Sequence, residues 1–249
     1  MALIRHDRGN LWWAILLPFS RQSKSAYSIG SFYLALMTDI KQMKVSNTKR
    51  DKPSLSQLRL IAGQWRSRRL NFPTIDGVRP TPDRVRETLF NWLAPVIEGA
   101  KCLDLFAGSG ALGLEALSRG AGHTLFIERH PQVAKALKDN LELLSCRSGQ
   151  VLQADALKWL AQPGRETFDV IFLDPPFRKN FLPECLSAIE THQLLAQRGH
   201  VYIELEAELP EVDVPAHWEL LRHKTAGQVQ YRLYQSSSDQ NSSTSPEPF

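Results

Sequence analysis

From Leu58 to Tyr234 the chain alternates short apolar runs with amphipathic stretches, and glycine, proline or an acid punctuates nearly every boundary. In KCLDLFAGSG, Leu103, Leu105 and Phe106 make the unbroken apolar run of a buried parallel strand. The run breaks into Ala107-Gly108-Ser109-Gly110 before a helical stretch, Ala111–Arg119. The alternation continues with a strand at His123–Glu128, a helix at Pro131–Leu144, a strand at Gln150–Ala154, a short helix at Ala156–Leu160 and a strand at Phe168–Leu173. A helix at Phe181–Leu195 and a strand at His200–Leu205 follow, and then Trp218–His223 and Gln228–Tyr234 around Ala226-Gly227, which read as a closing antiparallel hairpin. Strands separated by helices predict an α/β fold, here a mostly parallel seven-stranded sheet with helices on both faces. Ahead of this series, Val85, Leu89 and Trp92 or Leu93 recur at helical spacing. They predict a helix over Pro82–Leu93 that starts with Thr81 as N-cap and proline at the first helical position. Leu58–Ala62 and Arg69–Phe72 read as a small N-terminal β-hairpin around Gly63-Gln64-Trp65.

The flanks lack this periodicity. Leu11–Phe19, behind Arg5 and Arg8, is too short and too interrupted by Pro18 for a signal peptide or a membrane span, and no A-x-A cleavage site follows. Residues 1–53 therefore read as a mostly disordered basic extension, with Met37 and Met43 as alternative starts that would make the leading segment a start-site artefact. The division that follows is 54–81 for the hairpin element, 82–235 for the main domain and 236–249 for a serine-rich disordered tail.

Composition narrows the function. A chain of 249 residues with 43% hydrophobic positions can bury one ordinary core, and a monomer is expected. Cys102, Cys146 and Cys185 are odd in number and widely spaced, which argues against a disulfide framework or a zinc site and for a reducing cytoplasm. The net charge of +4 is modest, but its distribution is not. Arg59, Arg66, Arg68, Arg69, Arg79, Arg84 and Arg86 stand against only Asp76 and Asp83 in the same stretch. Arginine forks pair with phosphate, and Trp65 can stack on an unpaired base, so Arg66, Arg68, Arg69 and Arg79 are candidate RNA-binding residues.

Four acids fall at strand ends. Asp104 sits beside the glycine turn, whose Gly108, Gly110 and Gly113 match the spacing of a dinucleotide fingerprint. A carboxylate there opposes a pyrophosphate and suits an amino group, a hydroxyl or a positive sulfonium, all of which S-adenosylmethionine offers. Glu128 ends the second strand of the sheet, where an acid binds ribose hydroxyls. Asp155, before Ala156, reads either as an acceptor for the exocyclic amine of adenine or as a helix cap. Asp174 opens Asp174-Pro175-Pro176-Phe177, the most specific motif in the chain. Its prolines stiffen the loop and remove two donors, so carbonyls and the Asp174 carboxylate are expected to face outward as unpaired acceptors. Asp174 and the Pro175 carbonyl can hold the hydrogens of an exocyclic amine while Phe177 stacks on its base.

At these residues the chain resembles the bacterial small-subunit ribosomal RNA guanine-N2 methyltransferases of the RsmD type. The resemblance runs from about Leu58 to Tyr234 and rests on RLIAGQWRSRRL, RPTPDRVRETLFNWL, LDLFAGSGALGLEALSRGA and LDPPF. It implies a Rossmann-like class I methyltransferase fold, S-adenosylmethionine as donor, and N2 of one guanine of 16S ribosomal RNA, in assembling 30S particles, as acceptor. It further implies that Asp104 with Ala107, Gly108, Ser109 and Gly110 lines the methionine end, that Glu128 holds the ribose and Asp155 and Ala156 the adenine, and that Asp174, Pro175, Pro176 and Phe177 hold the target amine. A DNA adenine-N6 methyltransferase and a non-catalytic RNA-binding protein are the rival classes. The absence of a separate target-recognition segment weighs against the first, and the intact acids and glycines against the second.

Overall fold

The computed structural model describes residues 54–75, 81–162, 166–209 and 212–237. The expected extension 1–53, Asp76, Arg79 and the tail from residue 238 lie outside the described residues.

The sheet is built outward from β3 (Lys101–Asp104), whose Cys102 and Leu103 are buried on opposite faces. With β1 (Leu55–Arg59) and β2 (Arg69–Pro73) forming the separate hairpin, the remaining strands are β4 (His123–Glu128), β5 (Gly149–Gln153), β6 (Phe168–Leu173), β7 (Leu195–Glu206), β8 (Trp218–Ala226) and β9 (Val229–Ser236). Their order is β5-β4-β3-β6-β7-β9-β8. The first five neighbours pair in parallel, and β9 lies antiparallel between β7 and β8. The order reverses between β3 and β6, the kind of switch point outside which open α/β sheets collect ligands.

Among the described residues five helices cover the faces: α1 (Asp83–Leu93), α2 (Ala111–Ser118), α3 (Pro131–Leu143), α4 (Ala156–Leu160) and α5 (Leu182–Thr191). Leu103, Ile171, Leu173, Val201 and Ile203 pack on one side against Trp159 and Leu160 of α4 and Leu186 and Ile189 of α5. On the other side Cys102, Val170, Phe172 and Tyr202 pack against Val85, Leu89, Phe90 and Leu93 of α1. Parallel strands covered on both faces have no solvent side, which is why their sequences read as continuous apolar runs.

The hairpin docks on α2 and α3. Leu58, Leu60, Leu70 and Phe72 share a core with Leu114, Leu117, Leu137 and Leu141. Glu115, fully buried, accepts the amide hydrogens of Ile61 at 2.9 Å and Ala62 at 3.0 Å and pairs with Arg119 and the buried Arg86. Ser118 accepts the Trp65 amide at 3.1 Å and donates to the Ala62 carbonyl at 2.5 Å. The backbone comes so close that a Cβ on Gly63, at φ +78°, would lie 1.7 Å from the Ser118 carbonyl oxygen.

Several boundaries differ from the sequence reading, each for a visible reason. β1 spans Leu55–Arg59 rather than Leu58–Ala62, because Ile61 and Ala62 donate their amides to Glu115 instead of to β2. Leu105 and Phe106 form a turn beyond the end of β3. The helix before β7 ends at Thr191. Gln193 takes φ +50° and the Leu194 amide reaches back to the Ile189 carbonyl, a left-handed stop that frees Leu195 to begin β7 opposite Phe168. Thr81 does not cap α1: Pro82 occupies that position without a side-chain cap.

Candidate active site

The strand register brings the acids together. Asp104 lies opposite Phe126 on one side and Phe172 on the other, so Glu128 and Asp174 each stand two residues further along toward the same edge. Alternation places Asp104, Phe172, Asp174 and Tyr202 on the face that α1 covers.

Asp104 is buried, and its Oδ2 accepts the Gly113 amide at 3.0 Å. Burial pushes its pKa up to about 7; the Gly113 hydrogen bond opposes the rise, and the charges of Asp174 and Glu128 add to it. Glu128 accepts the amides of Gly108 at 2.9 Å and His130 at 2.6 Å, so the glycine turn folds over the end of β4. That fold needs φ +48° at Gly108 and +77° at Gly110, where a Cβ would meet the Leu137 side chain at 2.3 Å. Ala107 and Ser109 are buried in the same turn. Asp155 is the N-cap of α4, with Oδ1 accepting the Lys158 amide at 3.2 Å, and the residue is exposed while Ala156 behind it is buried. Both readings of Asp155 are compatible with one capping oxygen and one free.

Asp174 follows β6 and is half-buried. Burial pushes its pKa up to about 6, and the Thr81 side chain opposes the rise. Pro175 is buried, Pro176 is exposed, and Phe177 is 42% exposed, an aromatic face left open beside the carboxylate. Arg178 and Lys179 continue the loop on the surface. The Arg178 amide, at φ +62°, is held by Glu206 Oε1 at 2.6 Å, which ties the loop to the end of β7.

The arginine cluster divides. Arg86 is fully buried and bridges Thr81, Arg59 and Asp83, and Arg59 pairs with Asp83 at 2.8 Å, so these two belong to the framework. Trp65 is half-buried against the hairpin core rather than presented as a free platform. Arg66, Arg68 and Arg69 are exposed, but they surround the hairpin tip that docks on Ser118, at the end of α2 away from the glycine turn. The structure therefore does not bring them to the Asp174 loop.

Tyr202 and Glu204, on the strand beside β6, have no mark in the sequence pattern as direct as the four strand-end acids. Glu204 is 4% exposed and accepts the Tyr202 hydroxyl at 2.7 Å. The one local clue is an acid inside the apolar run VYIELE, where a lone charge is costly unless it has partners.

A family model described as "Conserved hypothetical protein 95" matches residues 58–235. Ribosomal RNA small subunit methyltransferase D of Escherichia coli strain K12 is 51% identical over 179 residues, which is 72% of this chain and 90% of that one. The chain belongs to the small subunit methyltransferase D family. Among solved structures, an Escherichia coli candidate methyltransferase, yhhF, is 49% identical with a TM-score of 0.69, covering 74% of this chain and 99% of that one. A Thermus thermophilus 16S rRNA N2 methyltransferase in complex with AdoMet and guanosine has the same fold, with a TM-score of 0.54 at 19% identity, covering 74% of this chain and 50% of that one. In this family member the matched region contains every site acid, the glycine turn and the D-P-P-F loop, and among the described residues no helix is long and apolar enough to cross a membrane.

Proposed function

We propose that the chain is an S-adenosylmethionine-dependent methyltransferase that modifies the exocyclic N2 amine of one guanine in 16S ribosomal RNA, as a cytoplasmic monomer acting on an assembling 30S particle. The observation that carries the reading is Asp174-Pro175-Pro176-Phe177 at the end of β6, next to the Asp104 and Glu128 carboxylates, in a chain 51% identical to a ribosomal RNA small subunit methyltransferase.

The residues present suit the cofactor's chemistry. Its sulfonium is positive and its methionine end carries an ammonium, and both match the buried Asp104 carboxylate beside the glycine turn. Glu128 has lone pairs left for ribose hydroxyls after accepting two amides, and Asp155 and Ala156 flank the place for adenine. When bound, the cofactor supplies an electrophilic methyl group. The amine of a base is a poor nucleophile because its lone pair is conjugated with the ring. Asp174 and the Pro175 carbonyl hold its two hydrogens, Phe177 stacks on the base, and the nitrogen pyramidalises toward the methyl group. Once N2 is methylated it carries a surplus proton, which would pass to Asp174.

Tritiated methyl transfer to undermethylated 30S particles, free ribosomal RNA and duplex DNA tests the reading and its rivals together. Labelled N2-methylguanine in the particle is expected; labelled adenine in DNA, or no transfer to any of the three, would overturn it. Asp174→Ala is expected to lower turnover by at least about 100-fold, the scale of removing one preorganised polar group, with cofactor affinity within a few-fold of the parent. Turnover that survives nearly intact would exclude the role given to Asp174.

A further inference from the structure

We infer that Glu206, seated by Gln230 and Arg232, is a positioning residue that fixes the loop 174–180 in the shape that receives the target base. The inference deepens the proposed function and rests on it for its catalytic meaning. The geometry is independent of it. Pro175 and Pro176 have no amide hydrogen, so the start of the loop offers the framework no backbone donor there. The Arg178 amide is a donor that the framework does use: Glu206 Oε1 accepts it at 2.6 Å. Arg178 and Asn180 both take left-handed backbone, at φ +62° and +50°, which residues with side chains adopt at a cost and keep only where neighbours hold them. A carboxylate that accepts an amide makes a bond roughly twice as strong as a neutral pair, which suits it to that task. Phe177 stands between the held residue and the stiff proline pair, so the backbone that carries its open ring is fixed on both sides.

The holding group is itself held. Glu206 is the last residue of β7, and its carbonyl accepts Gln230 Nε2 from β9 at 3.1 Å. The same nitrogen reaches the Leu209 carbonyl at 3.0 Å, and the Leu209 amide closes the turn 206–209 on the Glu206 carbonyl at 3.1 Å. Gln230 Oε1 in turn accepts Arg232 Nη2 at 2.8 Å and Nε at 3.3 Å, while Arg232 Nη1 reaches the Tyr234 hydroxyl at 3.3 Å. A guanidinium has donors only, so it dictates that the glutamine oxygen faces it and leaves the amide nitrogen facing the two carbonyls. Gln230 and Arg232 are both buried, where water competes least for these bonds. The order runs from Arg232 to Gln230, from Gln230 to the Glu206 carbonyl, and from the Glu206 carboxylate to the Arg178 amide. It links the antiparallel part of the sheet to the loop that carries Asp174. Glu206 acts through that loop and not on the reacting atoms.

Amide hydrogen exchange in the free full-length protein, read residue by residue by NMR, tests the hold. The Arg178 amide is expected to be protected in the parent and to exchange at least about tenfold faster in Glu206→Ala, since a hydrogen bond to a charged group is lost. Glu206→Gln keeps an acceptor at the same reach and is expected to recover most of the protection. Gln230→Glu keeps an oxygen for Arg232 but has no hydrogens for the Glu206 and Leu209 carbonyls, and is expected to speed exchange at Arg178 with Glu206 itself unchanged. These readings need no methyl transfer, so they stand or fall separately from the proposed function. Steady-state methyl transfer to 30S particles tests the positioning. Phosphate contacts capture the RNA, and the base is seated afterwards. Glu206→Ala is therefore expected to lower kcat by about 10- to 100-fold, the scale of a small misplacement, with KM for the particle within a few-fold and Tm within about two degrees of the parent. Glu206→Gln is expected to restore most of kcat. Arg178 exchange equal to the parent's in Glu206→Ala would overturn the hold, and in Gln230→Glu it would overturn the seating by Gln230. Faster exchange with kcat unchanged, or a raised KM alone, would overturn the positioning.

Discussion

Asp104 shows what a buried carboxylate costs the fold. Its ordinary pKa is 3.8, and burial raises it to about 7, so between these values the folded chain holds a proton that the unfolded chain has released. Stability linked to this group therefore falls as pH rises through that window and is fully lost above pH 7. Asp104→Asn keeps the shape and the acceptor for Gly113 without the charge. It is expected to raise Tm at pH 8 by a few degrees, with the gain shrinking toward pH 5, and to weaken cofactor binding at the same time. Melting curves across that range, paired with cofactor titration, check both; an equal gain at pH 5 and pH 8 would rule out the charge as the cause. A stabilising change that harms binding is the behaviour of a site residue rather than of a core residue.

At the scale of elements, the hairpin is an integral part of the domain rather than an appendage. Its first strand lies three residues earlier than the local pattern predicts, because the amides of Ile61 and Ala62 pair with a side chain on α2, an interaction that no local pattern announces. Glu115 holds those two amides and faces Arg86, itself 1% exposed. Glu115→Ala leaves a buried guanidinium without that partner and two amides unpaired, and is expected to cost about 3–5 kcal/mol. Urea unfolding measures the loss, and hydrogen exchange should show Ile61 and Ala62 losing protection first. Protection unchanged at those amides would mean that packing of Leu58, Leu70 and Phe72 alone holds the hairpin.

At the scale of the whole molecule the question is how RNA lies across it. Chemistry on N2 of a paired guanine calls for an unpaired or extruded base, at a cost of a few kcal/mol that phosphate binding must offset. Arg66, Arg68 and Arg69 surround a tip docked at Ser118, about 12 Å along α2 from the glycine turn. They can grip phosphates away from the target nucleotide, whereas Arg178 and Lys179 lie on the loop that carries Asp174. Replacing Arg66, Arg68 and Arg69 together by alanine is expected to raise the RNA Kd and flatten its dependence on salt, by about 0.7–0.9 in log–log slope for each phosphate that is no longer neutralised. Turnover at saturating RNA and cofactor affinity should hold. Arg178→Ala with Lys179→Ala is expected to lower turnover as well. A salt slope equal to the parent's in the triple variant would place the RNA path elsewhere.

The sequence alone determined the alternation of strands and helices, the glycine turn and the four acids at strand ends, because each is a local consequence: apolar runs need burial, turns need glycine, and a strand's end is where its polar residue can reach a ligand. Asp155 could be read both as site and as cap for the same reason, since the cap is also local. What the chain could not announce are the interactions between segments far apart in it. Whether an arginine grips phosphate or locks the core depends on what surrounds it, and Arg86 and Arg66 look alike in a string of letters. The placing of Glu204, with its Tyr202 partner, next to Asp174 exists only once β7 is laid beside β6. Only tertiary structure decides such an arrangement, because the energy of a buried charge is set by its neighbours in space.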